Sequence, residues 1–413
     1  MVERIFGAGQ TGATFGASAK RHSYDVVIVG GAIMGSSTAW WLTELGFDGN
    51  VLVVERDPTY EWCSTAHTNS CIRQQFSTEL NIRISQFGAD FISNLRAYMG
   101  GDARIPDLPI QSYGYLYLAD TEAAAAALHA NQRVQAAAGA ATRILSRDEI
   151  AAAYPFYALD GIVLGSINTV NEGYFDGATQ FDWLKRQARE RGVEYIAGEV
   201  VEMTRSARGI EAVWLADGSV IACGHVVNAS GPRAARTAHM AGLRLPVEPR
   251  KRYSYIFKAA TPLDRPLPLT IDPSGVHVRE NGGGTYLAGG HPEFDPPVAF
   301  DDFTVDQGFW LDHLWPRLAA RIPAFEAVKV TAEWAGHYAY NTLDQNAIIG
   351  PHPEVGNFLF LNGFSGHGLQ QSAAMGRAMA ELLCFGEYRS IDMGLFGYER
   401  VLASAPVLET AVI

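Results

Sequence analysis

The segment from Tyr24 to Glu55, YDVVIVGGAIMGSSTAWWLTELGFDGNVLVVE, limits the fold of this chain more than any other stretch. Val26, Val27, Ile28 and Val29 form a β-branched run of the kind that a parallel sheet buries on both faces. Gly30 closes a tight turn, and Gly35 lets the following helix pack closely on the strand. The first N–H groups of that helix have no carbonyl four residues back, so they point outward with the positive end of the helix dipole behind them. A pyrophosphate suits such a site. The second strand ends at Glu55, 20 residues after Gly35, where a carboxylate accepts hydrogen bonds from an adenosine ribose. The segment predicts a dinucleotide site.

Glycine spacing alone is a weak signal. Gly7, Gly9 and Gly12 in IFGAGQTG fit it too, but no buried strand precedes them and no second strand ending in an acid follows. Context rejects the first match and supports the second. The supported motif departs from the usual pattern at Ala32, where a glycine normally lets the backbone approach the pyrophosphate.

With 32 basic and 44 acidic residues, the net charge of −12 argues against nucleic acid or an anionic membrane as a partner. No run of 18 apolar residues occurs, so no membrane-spanning helix is expected. Cys63, Cys71, Cys223 and Cys384 show neither zinc spacing nor a dense disulfide pattern. They read as neutral thiols in a reducing compartment, and the protein as cytoplasmic. Residues 1–23 lack the apolar core of a secretory signal and read as a loose extension.

Further on, the α/β pattern is interrupted. Helices are expected over 81–99, 122–141 and 180–191, and SYGYLYLA from Ser112 alternates like a half-buried strand. From Pro246 to Gly290 the pattern becomes aromatic and β-branched strands with Gly/Pro turns: KRYSYIF, GVHVRE, GTYLAGG. The predicted class is α/β (α+β overall), a Rossmann-like domain interleaved with an antiparallel-sheet domain. The dinucleotide domain takes residues 24–105, 165–235 and 335–413, and the substrate domain takes 106–164 and 236–334. Ligands in such folds bind where the strand C-termini meet the second domain.

GFSGHGLQQS, from Gly363 to Ser372, repeats the first motif: a strand (Phe358 to Leu361), a glycine loop and a helix. A second helix N-terminus therefore aims at the same crevice. It suits the edge of a flavin that becomes negative on reduction, which tilts the expected cofactor from NAD to FAD.

On VVIVGGAIMGSS, VLVVERDP, STAHTNSCIRQQFS, NASGPRA, WAGHYAYNTLDQNAIIGPHP and GFSGHGLQQS, the chain resembles the D-amino-acid oxidase (glycine/sarcosine oxidase) superfamily. The likeness is strongest to the branch that holds a mitochondrial FAD-dependent oxidoreductase-domain protein and bacterial iminodiacetate oxidase-like enzymes. It implies that Gly30, Ala32, Ile33, Met34 and Gly35 hold the FAD pyrophosphate. Glu55 and Arg56 would sit at the adenosine, Ser64 and Thr65 near the phosphates, and Val200 at the adenine. Ser230 and Gly231 would flank the dinucleotide, and Gly363, Gly366, His367, Gly368, Leu369 and Gln370 would meet the isoalloxazine.

The resemblance also implies that Arg73 anchors a substrate carboxylate, a task suited to the guanidinium fork. Arg250 or Arg252 would assist it. His291 would line the pocket, and His291 or His367 would take the amine proton. Tyr253 and Tyr255, two apart on a strand, share a face that either walls the pocket or is core. His337 stands where sarcosine oxidases carry a flavinylated cysteine, so the FAD is expected to be non-covalent. Leu287 stands near the position of an oxygen-activating lysine, which leaves oxygen or another electron acceptor open. Gln370 replaces a carboxylate-binding lysine. The implied reaction is oxidation of the C–N bond of an N-substituted, sarcosine- or iminodiacetate-like amino acid. The alternative is a flavin-bearing assembly or interaction protein with little turnover.

Overall fold

The computed structural model describes residues 15–410. The glycines at 7, 9 and 12 lie outside the described residues. The βαβ unit forms as its sequence dictates: a strand Ser23–Val29, helix α1 (Ile33–Glu44) and a strand Val51–Glu55. Val26, Val27 and Ile28 are fully buried, as their composition requires of a central parallel strand.

The first sheet runs in the order Ile348–His352, Val355–Asn362, Val220–Asn228, Ser23–Val29, Val51–Glu55, Glu194–Ala197. All neighbours after the antiparallel first pair are parallel. A hairpin, Val200–Ser206 and Gly209–Leu215, is added antiparallel to the Val220–Asn228 strand. Helices α2 (Glu79–Ser93), α3 (Gly177–Glu190) and α4 (Gly368–Phe385) join α1 over the sheet. Helix α1 is buried from Ile33 to Leu42, which is why its sequence shows no polar stripe. Helices α1 and α4 touch closely. A Cβ on Gly376 would lie 2.2 Å from Ser37 Oγ, and Ser37 Oγ donates to the Ser372 carbonyl at 2.8 Å.

The second sheet runs Val328–Asn341, Val247–Ala259, Tyr286–Gly290, His277–Glu280, Leu269–Ile271, Tyr115–Ala119, Leu164–Asn168, Arg143–Ser146. It is antiparallel except where Leu269–Ile271 meets Tyr115–Ala119. Leu164–Asn168 pairs within this sheet, although the sequence places residues from 165 on with the dinucleotide domain. The long strand Val328–Asn341 likewise runs in this sheet across the expected boundary at 335.

Two local expectations change. Tyr115–Ala119 is buried at every position instead of half-buried. One face joins the core of the second sheet through Leu116 and Leu118. The other is covered by the segment around Arg73, and Gln75 Nε2 donates to the Tyr115 carbonyl at 2.9 Å. The start of the described N-terminal extension is held in place, while residues 17, 18 and 20–23 are exposed. Gly16 N donates to the Tyr195 carbonyl at 3.0 Å, and the Phe15 ring lies 5.4 Å from that of Tyr195.

Candidate active site

One long cleft runs between the parallel sheet and the second sheet. It opens at the C-terminal ends of the central strands, where Val29, Gly30, Val54, Glu55 and Ala229 line it. The turn after Val29 is tight by construction. Gly30 adopts φ +99°, and a Cβ on Gly35 would lie 1.9 Å from the Gly30 carbonyl oxygen. The α1 start offers its outermost amides to the cleft, with only Ile33 N directed to Thr65 Oγ1, at 3.4 Å. Glu55 is buried, and its oxygens accept from Gly31 N and Asp57 N, both at 2.8 Å. Burial pushes its pKa up, opposed by those two amides.

The α4 start reaches the same cleft from the other side. Gly366 (φ +94°) lies against Tyr338, whose ring carbons would meet an added Cβ at 2.3 Å. A Cβ on Gly368 would come within 3.5 Å of Met34 Cε, so the two helix N-termini stand side by side. This convergence fits a flavin dinucleotide: one helix end for the pyrophosphate, one for the isoalloxazine.

Of the residues singled out from the sequence, Gly30, Ala32, Ile33, Met34, Glu55, Arg56, Ser64, Thr65, Arg73, Val200, Ser230, Gly231, Arg252, Tyr253, His291, His337, Gly366, His367, Gly368, Leu369 and Gln370 line this cleft. Gly35, Gly363, Tyr255, Arg250 and Leu287 do not. Gly35 is buried against the Gly30 turn and acts through packing. Gly363 (φ +71°) makes a turn whose α-carbon faces Asn341 and Val247. Tyr255 is fully buried, 5.0 Å from the Trp310 ring, and its hydroxyl donates to the Asp306 carbonyl at 3.2 Å. Tyr253 and Tyr255 do share a face, but it is the core face of the second sheet. Tyr253 touches the cleft yet packs on Phe309, 5.0 Å away. The alternate residues Arg252 and Ser254 take the cleft side.

Arg73 is 1% exposed. Its Nη2 lies 2.9 Å from His367 Nε2, its Nη1 donates to the Gln75 carbonyl, and its Cζ sits 3.9 Å above the Phe76 ring. Burial, then the Arg73 charge, hold the His367 pKa down at about 3, so this imidazole stays neutral and accepts from the guanidinium. That removes it as a proton acceptor at neutral pH. Gln370 is also turned to support, because its Oε1 accepts from Arg73 N at 2.9 Å. Ser64 Oγ donates to the His337 carbonyl at 2.6 Å, which ties the 62–73 segment to the second sheet.

Arg252 donates from Nη1 and Nη2 to Asp295, both at 2.8 Å, and Arg250 pairs with Glu248 at 2.5 Å. Neither is a spare anchor beside Arg73. His337 is buried, with Nε2 2.8 Å from the Asp302 carbonyl and its ring stacked 4.1 Å from Phe303. Those engagements fit a flavin held without a covalent link. Leu287 pairs across strands with Arg279, a buried cation that donates to the Asn69 carbonyl at 2.9 Å. Burial raises the Cys63 pKa to about 12 and raises that of Cys71, so both cleft thiols are inert.

The site also holds residues that the sequence did not single out. Asn69 is a hub: its Oδ1 accepts from Ser254 Oγ at 3.0 Å, and its Nδ2 lies 3.1 Å from His277 Nε2. Burial holds the His277 pKa down at about 4. His277 and Arg279 are polar residues two apart on GVHVRE, a hint that one face of that strand is not core.

The comparisons agree with this geometry. The FAD dependent oxidoreductase family profile matches residues 25–382, and the chain belongs to that family. It is 37% identical to FAD-dependent oxidoreductase domain-containing protein 1 of Xenopus laevis, over 94% of this chain and 85% of the relative. It is 24% identical to mitochondrial sarcosine dehydrogenase of Mus musculus, over 88% of this chain and 40% of that protein. Among solved structures, L-proline dehydrogenase from P. horikoshii superposes with a TM-score of 0.82 at 25% identity, covering 94% of this chain and all of that one. Iminodiacetate oxidase from Chelativorans sp. BNC1 gives 0.73 at 19% identity, covering 90% and 98%. The protein is therefore an FAD-dependent oxidoreductase. Among the described residues no helix is long and apolar enough to cross a membrane.

Proposed function

We propose that the protein oxidises the C–N bond of an N-substituted amino acid, sarcosine- or iminodiacetate-like, with Arg73 as the carboxylate anchor. The observation that carries this reading is a nearly fully buried guanidinium on the cleft wall, braced by His367, Phe76 and the Gln75 carbonyl. A planar guanidinium fork held in one orientation can give a carboxylate two parallel charge-assisted hydrogen bonds. FAD supplies the hydride acceptor. The glycine loops at Gly30 and Gly366 would hold it, with Glu55 at its ribose.

The substrate enters as a secondary ammonium and must lose a proton before hydride leaves, since without a nitrogen lone pair no imine forms. His291 lines the cleft, and its Nδ1 lies 2.9 Å from the Pro292 carbonyl, which leaves Nε2 as the basic side. Water then hydrolyses the released imine to an aldehyde and an amine. Oxygen or another acceptor takes the electrons. The four cysteines are free, which suits a reducing compartment such as the cytoplasm.

Anaerobic titration of the yellow protein with sarcosine, iminodiacetate and N-methylalkylamines without a carboxylate tests the proposal. Bleaching of the flavin by the acids alone supports it. A full FAD load that no acid bleaches favours the assembly or interaction role instead.

A further inference from the structure

Among the described residues, the dinucleotide end of the cleft carries a cation with no hydrogen-bond or ion-pair partner for its guanidinium. Arg56, Arg233 and Arg236 all line it. Arg236 is matched by Glu199, at 3.4 Å. Arg233 is half-buried, and among the described residues its guanidinium makes neither a hydrogen bond nor an ion pair; it lies over the Phe300 ring, 4.7 Å from Cζ. Burial, Arg56 and Arg236 push its pKa below the ordinary arginine value, while Glu199 and Asp301 oppose them only in part. A partly desolvated cation beside two others and lacking an acceptor is costly, and an anion is the group that relieves it.

The position of Arg233 identifies the anion. It ends the short turn Gly231–Arg233, and the residues just before that turn touch the glycine loop: a Cβ on Gly30 would lie 2.5 Å from the Ala229 carbonyl oxygen and 3.0 Å from Ser230 Cα. The loop itself is poorly equipped for two phosphate charges. Ala32 stands where a glycine would give the closest backbone approach. The Glu55 carboxylate is already 2.8 Å from Gly31 N. The end of α1 contributes only about half a positive charge. We infer that Arg233 binds the FAD pyrophosphate, replacing with a side-chain charge part of the contact that Ala32 denies to the backbone.

The test is FAD retention by the purified holoprotein, followed by the rise in flavin fluorescence on dilution over a range of salt concentrations. Arg233→Gln should raise the FAD Kd about ten- to hundredfold, the range for one charge-assisted hydrogen bond. It should also flatten the salt dependence, because one cation fewer meets the phosphates. ADP should displace FAD from wild type, and its own affinity should fall with the variant, while that of adenosine should not. Arg236→Gln, already matched by Glu199, should change retention less. A folded Arg233→Gln protein with wild-type Kd and salt slope overturns the inference and leaves the FAD assignment standing. So does an equal loss of ADP and adenosine affinity, which would mark general damage to the site.

Discussion

Gly35→Ala is the substitution whose consequence the structure fixes most tightly. The added methyl would sit 1.9 Å from the Gly30 carbonyl oxygen, a backbone atom that no side-chain rotation can move. Bringing that contact even to 3.0 Å requires the loop and the α1 start to part by about 1 Å, and interiors this dense do not yield so far without loss. Overpacking of this kind costs about 1–3 kcal/mol. Replacing glycine by alanine inside a helix returns about 1 kcal/mol, so the apoprotein should lose no more than about 2 kcal/mol. Cofactor binding should suffer more, since the displaced turn is the one that presents amides to the pyrophosphate. Thermal unfolding of the apoprotein and fluorescence titration with FAD separate the two effects. The expected result is a modest fall in Tm with FAD affinity down at least tenfold. Gly356→Ala is the control, because its Cβ would meet nothing within 4 Å and its backbone is not in the left-handed region. Wild-type FAD affinity in Gly35→Ala would refute the idea that this close approach shapes the site.

Two further outcomes concern the scaffold. Glu172 is fully buried, and although it accepts from Gln74 N (2.6 Å), Asn168 Nδ2 (2.9 Å) and Gln75 Nε2 (3.0 Å), burial still raises its pKa to about 7. A raised carboxyl pKa means that its contribution to stability is complete below about 4.5 and is lost as pH rises through about 7, on the order of 3 kcal/mol in all. Urea unfolding across pH 4–9 should show this decline, and Glu172→Gln should flatten it. Asp344 and Arg400 form a buried pair, with Nε to Oδ2 at 2.8 Å and Nη2 to Oδ1 at 3.2 Å. Asp344→Ala strands the guanidinium and should cost about 3–5 kcal/mol in chemical unfolding, more than replacement of both partners by apolar residues.

The parts of this molecule that were legible in its sequence are those whose chemistry is local. The Tyr24–Glu55 unit carries strand, turn, helix and acid within one contiguous segment, so periodicity and spacing sufficed to read it. GFSGHGLQQS was legible for the same reason. The face chosen by Tyr253 and Tyr255 was not: alternation says that they share a side, but only packing against Trp310 and Phe309 decides that the side is core. Asn69 and His277 meet across 208 residues of chain, a contact that no local pattern announces. The contacts that His367 and Gln370 make with Arg73 were not legible, because Arg73 lies nearly 300 residues earlier. Burial of the Tyr115–Ala119 strand on both faces likewise depends on the Arg73 segment crossing it.

The central claim is that Arg73 holds a substrate carboxylate against the flavin, and anaerobic stopped-flow reduction of the Arg73→Met protein tests it most directly. With FAD content equal to wild type, the account predicts that reduction by the best N-substituted amino acid slows about hundredfold at sub-saturating substrate, as loss of one charge-assisted contact requires. Arg73→Lys should recover part of that rate. Reduction of Arg73→Met at the wild-type rate would contradict the account.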